Sequence, residues 1–186
     1  MLIAGLILAI VFGWARGGNL RRLADLPIRQ VYLLIVPLLM EVGQSQLLLR
    51  VEWMTPLISF GMTILQYLIL FVFVLLNSHL WQVLLYGAGS ALNFLVITAN
   101  AGAMPITDKV LELGGNSAKF AALVQGRYYT YEIITDSTCF PFLGDVIVIP
   151  GLLPQCVSIG DIILMTGLFL LIMKGMGKRE DTDDEE

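Results

Sequence analysis

The chain has 186 residues, of which 57% are hydrophobic and only 14% are charged, with a mean hydropathy of +0.81. Charged residues make up about 25% of an ordinary soluble domain, so the composition excludes a water-soluble fold and predicts an integral membrane protein. The formal net charge of −4 comes from residues 180–186, which hold six of the 15 acidic side chains and leave nine acidic against 11 basic residues elsewhere. That balance provides no basic face, so we expect no nucleic-acid partner.

Five apolar runs follow one another along the chain, and each is predicted to cross the bilayer as a helix. The predicted spans are residues 1–15, 30–49, 56–76, 83–99 and 158–173. The first run is short, and a signal peptide is its alternative interpretation. Basic residues follow this run and none precede it, which favours a retained helix. The predicted fold is therefore an all-α bundle of five transmembrane helices.

Basic residues in the short joins predict the orientation of the bundle. Arg16, Arg21, Arg22 and Arg29 follow the first span, and the last span is followed by Lys174, Lys178 and Arg179. Because such residues stay in the cytoplasm, we expect the N-terminus outside and the C-terminus inside. Residues 1–179 would form a single transmembrane domain, followed by an acidic cytoplasmic tail at 180–186.

Residues 100–157 form a long loop that this topology places outside the membrane. Its early part predicts two short helices, over 107–113 and over 116–125. The segment 140–153 is too apolar for water and is expected to lie at the membrane interface. Cys139 and Cys156 both fall in this loop, which predicts a possible disulfide in an oxidising compartment. The alternative is a pair of small buried thiols.

Three polar residues in the predicted spans lie at similar depth. Counting from the span ends places Glu41, Gln66 and Asn93 about 15 Å from either membrane face, with Thr166 of the last span near that depth. One interpretation is a mid-membrane polar layer that binds a solute or relays a proton. The other is a protonated Glu41 that joins helices through hydrogen bonds, which average about 0.6 kcal/mol.

Two Gly-Asp pairs, at 144–145 and 160–161, suggest a second polar site at the outer surface. Ser158 and Asp161 have the spacing of a helix cap, which is the structural interpretation of Asp161. The functional interpretation brings Asp145 and Asp161 together with Asn100, with Arg127 as a counter-charge. Two carboxylates and an amide could hold a cation or fix a polar substrate.

Several kinds of chemistry have no sequence signal. There is no phosphate-binding glycine loop, no His/Cys spacing for a metal and no nucleophile elbow. His79 is the single histidine in the sequence. We therefore expect no metal, no cofactor and no ordinary hydrolase chemistry.

Four motifs, RGGNLRRLAD, NFLVITANAGAMP, FLGDVIVIP and SIGDIIL, resemble in content and order the uncharacterised bacterial membrane protein family DUF5317. The resemblance covers nearly the whole chain and implies a multi-pass protein of the bacterial inner (cell) membrane. It implies no activity. The positions that follow the family pattern are Arg16, Gly17, Asp25, Asn93, Asn100, Gly102, Met104, Pro105, Gly144, Asp145, Gly160 and Asp161.

Three functions remain open from the sequence. The leading expectation is a non-enzymatic membrane component that binds a partner protein or lipid, or forms a homo-oligomer. Its binding surface would be the outer one that includes Asn100, Met104, Asp145 and Asp161. The alternative is a small-solute or proton carrier that uses Glu41, Gln66 and Asn93. The third is a lipid-modifying enzyme that uses the paired carboxylates at the outer interface.

Overall fold

The computed structural model of the chain describes residues 2–50, 54–111, 117–126, 128–150 and 155–177. Arg127 and the acidic tail at 180–186 lie outside these residues. The described part is mostly helical, with helices α1 (Leu2–Ala15), α2 (Tyr32–Arg50), α3 (Pro56–Leu76), α4 (Trp81–Ala99), α5 (Ser117–Val124) and α6 (Ile159–Met176). Short 3-10 helices cover Leu20–Asp25, Asp108–Leu111 and Pro141–Leu143.

Helices α3, α4 and α6 are long and apolar enough to cross a membrane. The apolar stretches of the other two long helices are shorter, Gly5–Ala15 in α1 and Tyr32–Leu47 in α2. Three such helices indicate a membrane protein. The ends of these five helices lie within three residues of the boundaries predicted from hydropathy.

Small residues bring α4 and α6 into close contact. A Cβ atom on Gly89 of α4 would collide with the carbonyl oxygen of Gly160 and the amide of Leu164 on α6. A Cβ atom on Gly167 of α6 would collide with the backbone of α4 at Tyr86. Small side chains at a helix interface allow this approach, as expected for association within a membrane. The α4–α6 pair is therefore the close-packed part of the bundle.

The remaining long helices pack around this pair. Helix α1 lies against α6, where Gly13 contacts Met176, and α2 packs chiefly on α3. At the end of the bundle that carries the α3–α4 turn, the Asn77 side chain holds the backbone of Arg29. Its Oδ1 accepts from the Arg29 amide at 2.7 Å, and its Nδ2 donates to the Arg29 carbonyl at 2.9 Å. Nearby, the His79 ring lies 3.0 Å from the Pro27 carbonyl.

The turn after α4 begins at the predicted end of the fourth span. Helix α4 ends at Ala99, and Gly102 has a φ of +99°, a left-handed conformation that favours glycine. A side chain at Gly102 would also collide with the Phe60 ring. This turn leads directly into the first strand of the long loop.

In its described residues, the long loop contains two small sheets that the all-α prediction missed. Strand β1 (Met104–Ile106) pairs in parallel with β2 (Tyr131–Ile133), and β3 (Ile147–Ile149) pairs antiparallel with β4 (Gln155–Val157). Both sheets consist of three-residue strands, too short for an alternating pattern to stand out in an apolar sequence. The predicted short helices appear as the 3-10 helix Asp108–Leu111 and as α5.

Candidate functional site

A cavity of about 390 Å³ lies between α2, α3, α4 and α6, with residues of the long loop as its roof. Its wall on α2 extends from Leu34 to Ser45, about 16 Å at 1.5 Å per residue. Small-molecule pockets commonly measure about 300–1,000 Å³, so this volume suits a small ligand. The polar side chains of the lining are Glu41, Gln44, Ser45, Thr63, Gln66, Tyr67, Tyr86, Ser90, Asn93, Tyr128, Thr130, Tyr131, Asp145 and Asp161.

The two groups of residues that the sequence placed in separate sites meet in this cavity. Its lining includes Glu41, Gln66 and Asn93 of the predicted mid-membrane layer, and Met104, Asp145 and Asp161 of the predicted outer site. Residues of the predicted mid-membrane layer and of the predicted outer site therefore line one continuous cavity. The sequence did not reveal this because the loop residues reach the cavity through strand pairing that is distant in the chain.

Asp145 is the most confined carboxyl group of the cavity. The Asp145 amide donates to the Pro105 carbonyl at 2.7 Å, and the Asp145 carbonyl accepts from the Thr107 amide at 3.2 Å. Gly144 allows this approach, because a Cβ atom there would collide with the Pro105 carbonyl. The Asp145 side chain is only 5% exposed, and its Oδ1 has no hydrogen-bond partner among the described residues.

This environment changes the acidity of Asp145. Burial disfavours the charged carboxylate and raises the pKa of Asp145 to about 8, and the negative charge of Asp161 adds to the rise. Burial, followed by the charge of Asp145, also raises the pKa of Tyr131 well above its ordinary value. Asp145 therefore titrates near pH 8, while Tyr131 stays a neutral phenol at that pH.

Asp161 is held by the capping arrangement predicted from the sequence. The Asp161 amide donates to Ser158 Oγ at 2.9 Å, and Asp161 Oδ2 accepts from the Ser158 amide at 3.2 Å. Asn93 of α4 completes the network: its Nδ2 donates to Asp161 Oδ1 at 2.8 Å, and its Oδ1 accepts from Ser158 Oγ at 2.9 Å. Both carboxylate oxygens of Asp161 thus have donors, in contrast to Asp145.

A second network joins α2 to α3. Gln66 Nε2 donates to Gln44 Oε1 at 2.8 Å, and Gln44 Nε2 donates to Ser59 Oγ at 2.9 Å and to the Ser59 carbonyl at 3.0 Å. Gln44 is 2% exposed and was not among the predicted site residues. Its position three residues after Glu41, on the same helix face, was the signal that could have identified it.

Aromatic side chains form much of the remaining lining. Tyr67, Tyr86, Tyr128 and Tyr131 contribute four phenol rings. The rings of Tyr128 and Tyr131 stack with centroids 5.9 Å apart and an interplanar angle of 6°. Tyr128 and Tyr131 belong to the long loop, and the structure turns both towards the cavity.

Other predicted residues lie away from the lining. Asn100 ends α4 and holds the loop: its Nδ2 donates to the Cys139 carbonyl at 2.9 Å, and its Oδ1 accepts from the Cys139 amide at 2.8 Å. Thr166 is exposed and donates to the Ile162 carbonyl of its own helix at 2.7 Å. Arg127, the predicted counter-charge, lies outside the described residues.

The two cysteines are free thiols in the structure, so the predicted disulfide is not formed there. Cys139 is exposed and Cys156 is partly buried, and burial raises the pKa of the Cys156 thiol. The disulfide stays a prediction for the protein in an oxidising compartment.

The polar side chains that line the cavity suit a ligand that is bound through hydrogen bonds and charge. Within the described ranges, no group of three or more His, Cys, Asp or Glu side chains is arranged to hold a metal ion. The described lining offers three carboxyl groups, four phenols and several amides and hydroxyls, but no lysine, arginine or histidine. Such a set favours a polar ligand that donates hydrogen bonds or carries positive charge.

A family model, described as "Family of unknown function (DUF5317)", matches residues 25–173. The chain belongs to this family. The resemblance expected from the four motifs is thereby confirmed over most of the chain. All the described lining residues of the cavity fall within the part that matches DUF5317, whereas the whole of α1 precedes it. No curated protein and no solved structure matches the chain.

Proposed function

We propose that this DUF5317 protein binds a small polar solute in the cavity beneath its long loop, and that it serves as a small-solute carrier. The convergence of polar residues from four helices and the loop on one cavity is the observation that carries this proposal. Burying so many polar groups in a membrane bundle is costly unless they find partners. A polar ligand would provide partners, above all for Asp145 Oδ1.

The same geometry favours a solute over a docked protein. Met104 and Asp145 belonged to the outer surface proposed for a partner, but they are only 6% and 5% exposed. A partner protein could not contact them without opening the loop. Phe140 and Phe142 are 44% and 60% exposed on the same loop, and we assign them to the surrounding lipid. A partner protein and a homo-oligomer stay predictions.

We also propose that the chain crosses the bacterial inner membrane five times. Three contacts support this topology by gathering the basic segments at one end of the bundle. Asn77 holds Arg29, Gly175 of α6 contacts Leu26, and the Asn19 amide donates to the Met176 carbonyl at 3.0 Å. At the other end, Met54, between α2 and α3, packs with Ala122 and Tyr128 of the long loop. We assign the basic end to the cytoplasm.

A lipid-modifying enzyme is less well supported. Its acid–base pair would be Asp145 and Asp161, but Asp161 is occupied by its cap and by Asn93. Proton transfer through Asp161 would therefore break the hydrogen bonds that cap the start of α6.

The proposal predicts a retained small molecule that depends on the cavity. Protein in lipid nanodiscs would be incubated with a small-molecule extract of bacterial cells and then examined by native mass spectrometry. Ser45→Trp places a large ring in the cavity wall, whereas Gln46→Trp changes the adjacent exposed position outside the lining. We expect a small-molecule adduct in the wild type and in Gln46→Trp but not in Ser45→Trp. Equal adducts in all three proteins, or none in any, would contradict the proposal.

A further inference from the structure

Asp145 carries a buried carboxyl oxygen of the cavity, Oδ1, that has no hydrogen-bond partner within the described residues. It is buried and fixed by the backbone of β1, and one of its carboxylate oxygens has no partner there. An unmatched buried acceptor costs roughly 1–3 kcal/mol, and more when it is charged. A ligand that supplied a positive charge or a donor at this atom would remove that cost.

We propose that the solute is a small organic cation, held at Asp145 and enclosed by the tyrosines of the cavity. This inference rests on the proposed function and names its substrate class. Asp161, already bonded to Asn93, supplies a second negative group in the same lining. Phenol rings are well suited to cations, since the face of an aromatic ring attracts positive charge.

Two observations favour an organic cation over a metal ion. The described carboxyl groups do not form a cluster able to hold a metal. The cavity volume of about 390 Å³ also far exceeds the space of one ion, since a water molecule occupies about 30 Å³ in the liquid. An anion is disfavoured by the carboxyl groups, and a neutral ligand would supply no countercharge at a pH where Asp145 is ionised.

A proton and the cation would compete for Asp145. The pKa of about 8 means that the carboxyl group is largely neutral at pH 6 and largely charged at pH 9. The titratable groups near it are Glu41 of α2, Tyr67 of α3, Asp161 of α6, Cys156 of β4 and the loop residues Tyr128 and Tyr131. The raised pKa of Tyr131 keeps this phenol neutral through that range.

The test compares choline with its neutral isostere 3,3-dimethylbutan-1-ol, because the two differ in charge but scarcely in shape. Tetramethylammonium and putrescine extend the series of cations. Binding to the full chain in nanodiscs would be measured by isothermal titration calorimetry at pH 6 and pH 9. Choline carries a charge that does not titrate, so any change with pH belongs to the protein.

We expect at least one cation to bind at pH 9, at least about tenfold more weakly at pH 6, and the neutral isostere not to bind. Asp145→Asn should abolish both the binding and its pH dependence, whereas Asp136→Asn, an exposed loop position, should leave both unchanged. Equal binding of choline and its isostere would overturn the inference. So would full cation binding by Asp145→Asn, or failure of all three cations to bind.

The adduct experiment separates this inference from the proposed function. If the cavity retains a neutral or anionic compound that Ser45→Trp excludes, the solute-binding function stands and the cation inference fails. If the wild type retains nothing and no cation binds, both fail.

Discussion

The two halves of the bundle differ in how closely their helices pack. Between α4 and α6 the backbones touch at glycines, and the polar groups of Asn93, Ser158 and Asp161 are matched to one another. On the α2 side, the helix packs chiefly on α3 and leaves a polar cavity open towards α4 and α6. We infer from this difference that the α4–α6 contact supplies stability, while α2 and the loop line the proposed binding cavity.

The largest expected effect comes from separating α4 and α6. Gly89→Leu would force a side chain into the Gly160 carbonyl, and backbone cannot move aside as a flexible side chain can. We expect a loss of at least about 3 kcal/mol in the free energy of unfolding, at the upper end of overpacking costs. Thermal unfolding in detergent would measure it. Gly61→Leu in α3 is the control because nothing lies within 4 Å of its Cβ position. Equal melting temperatures for the two variants would contradict the packing comparison.

The next effect should depend on pH. Asp145 has a folded pKa of about 8, above its ordinary value of 3.8, so the folded protein keeps a proton that the unfolded chain loses. Stability from this group is therefore complete below about pH 4, falls as pH rises, and is lost above about pH 8. We expect Asp145→Asn to melt roughly 5 °C or more above the wild type at pH 9, given the free energy per pKa unit and the Tm scale for a chain of this length.

The measurement is the difference in melting temperature between the wild type and Asp145→Asn, taken at pH 5 and again at pH 9. Other groups also titrate, but they do so in both proteins and cancel in this difference. Asp136→Asn should follow the wild type at both values. A gap between wild type and Asp145→Asn that stays constant with pH would show that Asp145 ionises normally in the folded protein.

A third effect tests the matched polar network of the close-packed half. Asn93→Leu removes the donor to Asp161 and the acceptor for Ser158, both in a buried region. Breaking buried hydrogen bonds costs about 1–3 kcal/mol, and we expect a loss of that size by chemical denaturation. Thr98→Val is the control, because within the described residues that hydroxyl donates to carbonyls of its own helix alone. A loss no larger than the control's would mean that the network contributes nothing to α4–α6 packing.

The smallest effect should be local to the loop. Asn100→Ala removes the two bonds that hold the Cys139 backbone, 39 residues away in sequence. We expect hydrogen exchange at the Cys139 amide to accelerate at least about tenfold, with a change in global stability near 1 kcal/mol. The Ile134 amide, which donates to the Ile106 carbonyl, serves as an internal control and should keep its protection. Unchanged exchange at Cys139 would contradict the role of Asn100 as a loop anchor.

Hydropathy predicted the helices well because their boundaries depend on local composition. The capping of α6 by Ser158 and Asp161 was also predictable, since both partners lie three residues apart. The position of Asp145 was not, because it depends on the contact of Gly144 with Pro105 and on the bridge between Ile106 and Asp145. Residues 39 positions apart must meet for that bridge, and no local pattern encodes such a meeting. Hence the sequence singled out six residues that line the cavity but divided them between two predicted sites, and it grouped Asn100 with them although Asn100 lies outside the lining.

The most direct test of the solute cavity is to label the cysteine of Ser45→Cys. The same chain would carry serine in place of Cys139 and Cys156. A membrane-impermeant cationic methanethiosulfonate and an anionic one would be applied at pH 9, where Asp145 is largely charged, to the outer face of intact spheroplasts. Each rate would be normalised to Ser137→Cys, an exposed position of the long loop. We expect Ser45→Cys to react from outside at least about tenfold faster with the cationic reagent, and Asp145→Asn to remove the preference. No reaction from outside, or equal normalised rates, would contradict a cation-selective cavity beneath the long loop.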